Sequence, residues 1–114
     1  MTEPTFQIEQ AAKVLKLLGD QTRLTMIKMM DHHDCCVCEF VEIFETSQPA
    51  ISQHLRKLKD AGLVKEFRMG QWIIYSLKKD SKYYPLVQDL LVHIPDQTFR
   101  LKELEAKGKR ISCN

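Results

Sequence analysis

Three of the four cysteines crowd together at Cys35, Cys36 and Cys38, while Cys113 stands alone near the end of the sequence. Thiolates are soft ligands that select thiophilic ions such as Zn(II), Cd(II), Cu(I) and As(III). Three sulfurs suit As(III), which forms three bonds and keeps a lone pair. Closed structural zinc takes four ligands, so zinc would have to recruit His32 or His33. A disulfide framework fits poorly, because neighbours this close do not easily reach the separations of a relaxed disulfide. A reactive cysteine of an enzyme needs basic neighbours or a helix start to lower its pKa. Here Asp34 and Glu39 flank the cluster, and no Arg or Lys lies between Lys28 and Arg56. The residues argue for ion binding rather than catalysis.

A second constellation follows at Ser47, Gln48, Ser52, Gln53, His54, Arg56 and Lys57. Gln can pair with an adenine edge in the major groove, Arg with guanine or phosphate, and Ser with base edges or backbone. Charge changes sign at this point. From Met29 to Thr46 the charged residues are Asp31, Asp34, Glu39, Glu42 and Glu45, whereas Ser47 to Gln71 carries Arg56, Lys57, Lys59, Lys65 and Arg68 against Asp60 and Glu66. Such a local basic surface suits phosphates, although the same pattern also describes two ordinary solvated faces.

The elements that must position these groups are legible from spacing. Ile8, Ala11, Ala12, Leu15 and Leu18 predict an amphipathic first helix ending at Gly19. Asp20 caps a second helix with Leu24, Ile27 and Met30 on its apolar stripe. A short third helix holds Val37, Phe40, Val41 and Phe44, with the cysteines at its entry. Ser47 as N-cap and Pro49 in the first turn open a fourth helix. Its Ile51, Leu55 and Leu58 share one face and turn Gln53, Arg56 and Lys57 roughly the opposite way. Gly62 ends it. Val64 to Arg68 and Gln71 to Leu77 read as a hairpin around Met69-Gly70, with Ile73, Tyr75 and Leu77 on one face and Arg68 and Gln71 at its tip. A fifth helix with Pro85 in its first turn shows Leu86, Leu90, Leu91 and Ile94 before Pro95 closes it. The pattern predicts a mainly α domain with a β-hairpin wing, a winged helix-turn-helix, over residues 1–94. Residues 95–114 read as a polar tail with weak helical tendency.

The stretch from Leu18 to Leu77 resembles the arsenical-resistance repressor (ArsR/SmtB) family. The resemblance rests on Gly19-Asp20-Gln21-Thr22-Arg23-Leu24, Cys36-Val37-Cys38-Glu39, Ser47-Gln48-Pro49-Ala50-Ile51-Ser52-Gln53-His54-Leu55, Ala61-Gly62-Leu63-Val64, and Arg68 with Gly70, Tyr75 and Leu77. It implies a homodimeric repressor that leaves its operator when a thiophilic ion binds. The first and last helices would make the dimer, giving the apolar surfaces around Leu15, Leu18, Leu90 and Leu91 to the partner; burial within one subunit is the alternative. Arsenic-sensing members carry a Cys-x-Cys that Cys36 and Cys38 reproduce. Some place a third cysteine where this chain has Val41, so Cys35, or Cys113 from either subunit, is the candidate substitute. No cysteine precedes Cys35, unlike the cadmium and lead sensors, and the fifth helix offers only Asp89 and His93 toward the family's Asp-x-His zinc site. Arsenite or antimonite is the implied inducer, with Cd, Zn, Pb or thiol oxidation as alternatives. Because residues two apart on a regular helix diverge by about 200°, binding by both Cys36 and Cys38 is expected to distort the helix start.

With 114 residues, 44% hydrophobic and 28% charged, and a net charge of +2, the chain has the composition of one globular domain that folds without a metal. No apolar run approaches the roughly 18 residues of a membrane span. Met1 to Gln10, with Glu3 and Glu9, lacks the pattern of a secretory signal, which points to the cytoplasm.

Overall fold

Two side-chain caps anchor the helices of the amino-terminal half. In the computed structural model, which describes residues 6–108, Asp20 accepts from the Arg23 amide at 3.0 Å and starts α2 (Gln21–Met30). Ser47 accepts from the Ala50 amide at 3.3 Å and starts α4 (Gln48–Asp60), with Pro49 in its first turn. Each cap satisfies an amide that the helix itself cannot pair. Before them lies α1 (Ile8–Leu18), and between them α3 (Val37–Phe44). The inner faces meet in one core, where Met26, Ile27, Phe40, Ile51, Leu55 and Leu58 are fully buried. Burying a side chain of this size contributes about 1.5–3 kcal/mol.

The hairpin forms where expected. Strands β2 (Val64–Met69) and β3 (Trp72–Leu77) pair antiparallel from Val64 opposite Leu77 to Met69 opposite Trp72. Gly70 turns the corner at φ +61°, a left-handed conformation that glycine adopts without a Cβ clash. A two-residue strand, β1 (Cys35–Cys36), joins the other edge of β3, so the sheet order is β1-β3-β2. Cys35 lies opposite Tyr75 and Cys36 opposite Ile74. The third strand changes the expected alternation. Ile74, Tyr75, Ser76 and Leu77 are all buried, whereas Ile73 is left exposed, because the central strand is covered on both faces at its carboxyl end.

The carboxyl-terminal segment departs from its expectation. After α5 (Tyr84–Leu91) the chain forms α6 (Thr98–Ala106), whose Leu101 and Leu104 enter the core. Leucines three apart share a helix face, and this pair docks α6 against α3, with the Arg100 guanidinium 6.0 Å from the centre of the Phe44 ring. Residues 98–106 are thus a packed helix rather than an unpacked tail. Leu18 and Leu91 are likewise buried within the subunit, while Leu15 stays exposed and Leu90 half-buried.

Candidate DNA-reading surface and thiol cleft

Ile51, Leu55 and Leu58 bury the inner face of α4 and thereby fix what its other face presents. Ser47, Gln48, Ser52, Gln53, Arg56 and Lys57 are all exposed. Arg56 approaches Asp60 at 3.8 Å, a loose surface pair that leaves its guanidinium free to meet a phosphate. His54 differs from these neighbours. It is half-buried, and its Nδ1 accepts from the Arg23 guanidinium at 3.1 Å, since arginine can only donate. Arg23 also donates from Nε to the Leu17 carbonyl at 2.7 Å. His54 and Arg23 therefore tie the end of α1 and the start of α2 to α4.

The wing is tied to the same helix. Glu66 on β2 accepts from Lys59 at the end of α4 and from the Tyr75 hydroxyl at 2.6 Å. The Lys59 ammonium and then the Tyr75 hydroxyl hold the Glu66 carboxyl below its ordinary range. Burial, reinforced by Glu66, pushes the Tyr75 phenol up. Lys59 is thus spent on an internal contact, whereas Arg68 and Gln71 stay exposed around the Gly70 turn. The family-like tyrosine at position 75 serves this brace, a role that its strand periodicity did not reveal.

The three clustered cysteines do not converge. Successive residues of a strand project to opposite faces, and Cys35 and Cys36 divide accordingly. Cys35 is fully buried, packs in the hydrophobic core and donates from Sγ to the His33 carbonyl at 3.4 Å. Cys36 is the N-cap of α3 in an extended conformation, φ −97° and ψ 162°. Its amide donates to Glu39 Oε1 at 2.9 Å while its sulfur faces the Glu39 amide, a reciprocal box at the helix start. Burial is the largest cause that pushes the Cys36 thiol up, with the neighbouring Cys38 thiol adding to it. The expected 200° divergence fails because Cys36 precedes the helix rather than belonging to it. Cys36, almost fully buried, and Cys38 both line one cleft.

That cleft, about 600 Å³, joins the start of α3 to α4 and the wing: Cys36 and Cys38 share it with Gln48 of α4 and with Gln71, Trp72 and Ile73 of the wing. Val37, Val41 and Glu42 complete its lining. Trp72 was not marked by any sequence motif; its position beside the hairpin turn was the only signal. Among the described residues no group of three His, Cys, Asp or Glu side chains is arranged to hold a metal ion. His32 sits beside Asp31 at 3.7 Å, away from the cleft lining, and His93 and Asp89 are exposed on or just after α5. Cys113 lies outside the described residues.

Residues 20–66, which contain the capped helices and the first half of β2, match the model of the bacterial regulatory protein arsR family. Over 106 residues the chain is 32% identical to the arsenic resistance transcriptional regulator ArsR2 of Pseudomonas putida, covering 87% of this chain and 92% of that one. The chain belongs to the arsR family. ArsR1 of the same organism is 43% identical over 65 residues, a match spanning about half, 51%, of its length. The crystal structure of the transcriptional repressor BigR from Xylella fastidiosa superposes with a TM-score of 0.66 at 28% identity, over 75% of this chain and 84% of that one. The winged fold is that of these regulators, and this arsR-family protein is a DNA-binding transcriptional repressor rather than an enzyme. No helix among the described residues is long and apolar enough to cross a membrane.

Proposed function

We propose that this repressor occupies operator DNA as a homodimer in the cytoplasm and is released when trivalent arsenic or antimony binds Cys36 and Cys38. The observation that carries this reading is the shared cleft, which Cys36 and Cys38 line together with Gln48 of α4 and Gln71 of the wing. Soft thiolates suit a thiophilic ion, and the names of the arsenic-resistance relatives support the same choice. Ser47, Gln48, Ser52 and Gln53 read the major groove, while Arg56, Lys57, Arg68 and Gln71 meet backbone or the adjacent groove. His54 acts by orienting α4 through Arg23. Exposed Ile8, Leu15 and Val92 supply the apolar dimer surface.

Two sulfurs make the site, and Cys35 stays in the core. An ion bridging Cys36 and Cys38 displaces Gln48 and Gln71 in the shared cleft directly, so that release needs no long relay. A coupling of about 1–3 kcal/mol, usual for allostery, weakens operator binding about 5- to 150-fold. Fluorescence anisotropy of the labelled upstream DNA, titrated with arsenite, antimonite, Cd(II), Zn(II) and peroxide in parallel, tests the reading. Release by arsenite and antimonite below the concentrations needed for the other agents supports it. Release by Cd(II), Zn(II) or peroxide alone contradicts it.

A further inference from the structure

Histidine is the side chain whose ordinary charge change falls between about pH 5 and 8, and protonation turns its accepting ring nitrogen into a donor. His54 stands half-buried on α4 with Nδ1 3.1 Å from the Arg23 guanidinium. Arginine has no acceptor and keeps its charge, so this bond exists only while Nδ1 carries a free lone pair. Arg23 is fixed on its other side by the 2.7 Å bond from Nε to the Leu17 carbonyl and by its place in the first turn of α2. The bond to His54 thus ties the corner between α1 and α2 to the middle of α4. A proton on Nδ1 removes the acceptor and sets two cations face to face.

We infer that Arg23 and His54 form a pH-sensitive latch on the reading helix: operator recognition requires a neutral His54 and weakens when that ring takes up a proton. The inference rests on α4 as the reading helix proposed above and uses no part of the thiol cleft. The charged groups that meet His54 come from the start of α2. There Asp20 accepts from the Arg23 amide at 3.0 Å, and that bond, then the Arg23 and His54 charges, holds its carboxyl below the ordinary range. Asp20 therefore keeps its charge while a histidine titrates; it softens the repulsion between Arg23 and a protonated His54 without restoring the acceptor. Helix α3 and strand β2 also pack on α4. From α3, Glu39 is engaged by the Cys36 amide, and Glu42 and Glu45 are exposed; from β2, Glu66 is engaged by Lys59 and Tyr75, and Lys65 and Arg68 are exposed. On α4 itself Lys57 lies one turn beyond His54 and is exposed. Freed from Arg23, α4 has to be ordered again each time it enters the groove. The loss falls on sequence discrimination rather than on general attraction to phosphate, which an added proton raises.

The protein is titrated by fluorescence anisotropy against its labelled upstream DNA and against a scrambled duplex of equal length, at about pH 7.5 and about pH 5.5 and at one ionic strength. Operator preference is the ratio of the two dissociation constants. In the parent it should fall about fivefold at the lower pH, the scale of one net hydrogen bond. His54→Asn places a side-chain oxygen that does not titrate near the position of Nδ1, and its preference should stay flat between the two pH values. His54→Ala offers no acceptor; its preference should be equally flat and lower than that of His54→Asn at the higher pH. Nitrogen NMR of the ring gives a measure that needs no variant: at the higher pH His54 should be the Nε2–H tautomer, with Nδ1 unprotonated. An Nδ1–H tautomer, or a loss of preference in acid that His54→Asn shares in full, would overturn the inference. A parent preference that does not fall in acid overturns it as well. Absence of any operator preference at either pH overturns α4 as the reading helix.

Discussion

The two sides of strand β1 put the same side chain to opposite uses. On the core side, Cys35 behaves as a small apolar residue among Met, Leu and Phe, its thiol satisfied by the His33 carbonyl. On the cleft side, Cys36 caps α3 and shares its space with Cys38, the wing and the amino end of α4. The two adjacent cysteines therefore occupy different environments. A strand of only two residues separates them, through the alternation of its backbone and its pairing with Tyr75 and Ile74.

The comparison breaks most visibly at the cleft side. Cys36→Ser and Cys38→Ser should each hold operator DNA like the parent and lose arsenite release, so that a 5- to 150-fold effect falls below twofold in anisotropy titrations. Serine is a favoured N-cap, which keeps α3 intact at position 36 while removing the soft ligand. The reading face that adjoins the cleft gives the next largest effect. Gln53→Ala should lose about 1–3 kcal/mol of discrimination at the base it contacts. Arg56→Ala should weaken binding evenly across sequences and lower the slope of log affinity against log salt by about one.

Changes on the core side should register in stability instead. Cys35→Ala removes one heavy atom from a packed interior and should cost about 0.5–1.5 kcal/mol, read as a lower urea midpoint at unchanged m-value, with arsenite release retained. Loss of release at normal stability would reverse the assignment of the two sides. The smallest effect belongs to the wing brace. Glu66 has its pKa lowered in the folded state by Lys59 and Tyr75, so its stabilisation is complete above its ordinary value of 4.5 and is lost as pH falls through the lower folded value. Glu66→Gln should flatten this acid-side decline in thermal melts and leave the neutral-pH melting temperature nearly unchanged, because the pair is largely solvent-screened.

Local signals made much of this architecture legible. The Asp20 and Ser47 caps, the Ile51, Leu55 and Leu58 stripe, and the glycine turn at position 70 each act within a few residues, and each appears where its chemistry demands. What was not legible is long-range. Strand β1 is too short to show a period of two, and it exists only because β3, some forty residues later, offers it an edge. The separation of Cys35 from Cys36 follows from that pairing and from nothing in the spacing of the cysteines. The role of His54 depends in the same way on Arg23, thirty-one positions earlier. Leu101 and Leu104 form too sparse a stripe to predict docking, and α3 supplies the surface that makes them core.

The number of sulfurs bound to arsenic tests the central claim most directly. X-ray absorption at the arsenic edge of the arsenite-loaded protein should find two sulfurs and one oxygen, in the parent and in Cys35→Ala and Cys113→Ser alike. Three sulfurs in the parent, falling to two in either variant, would contradict a site built from Cys36 and Cys38 alone.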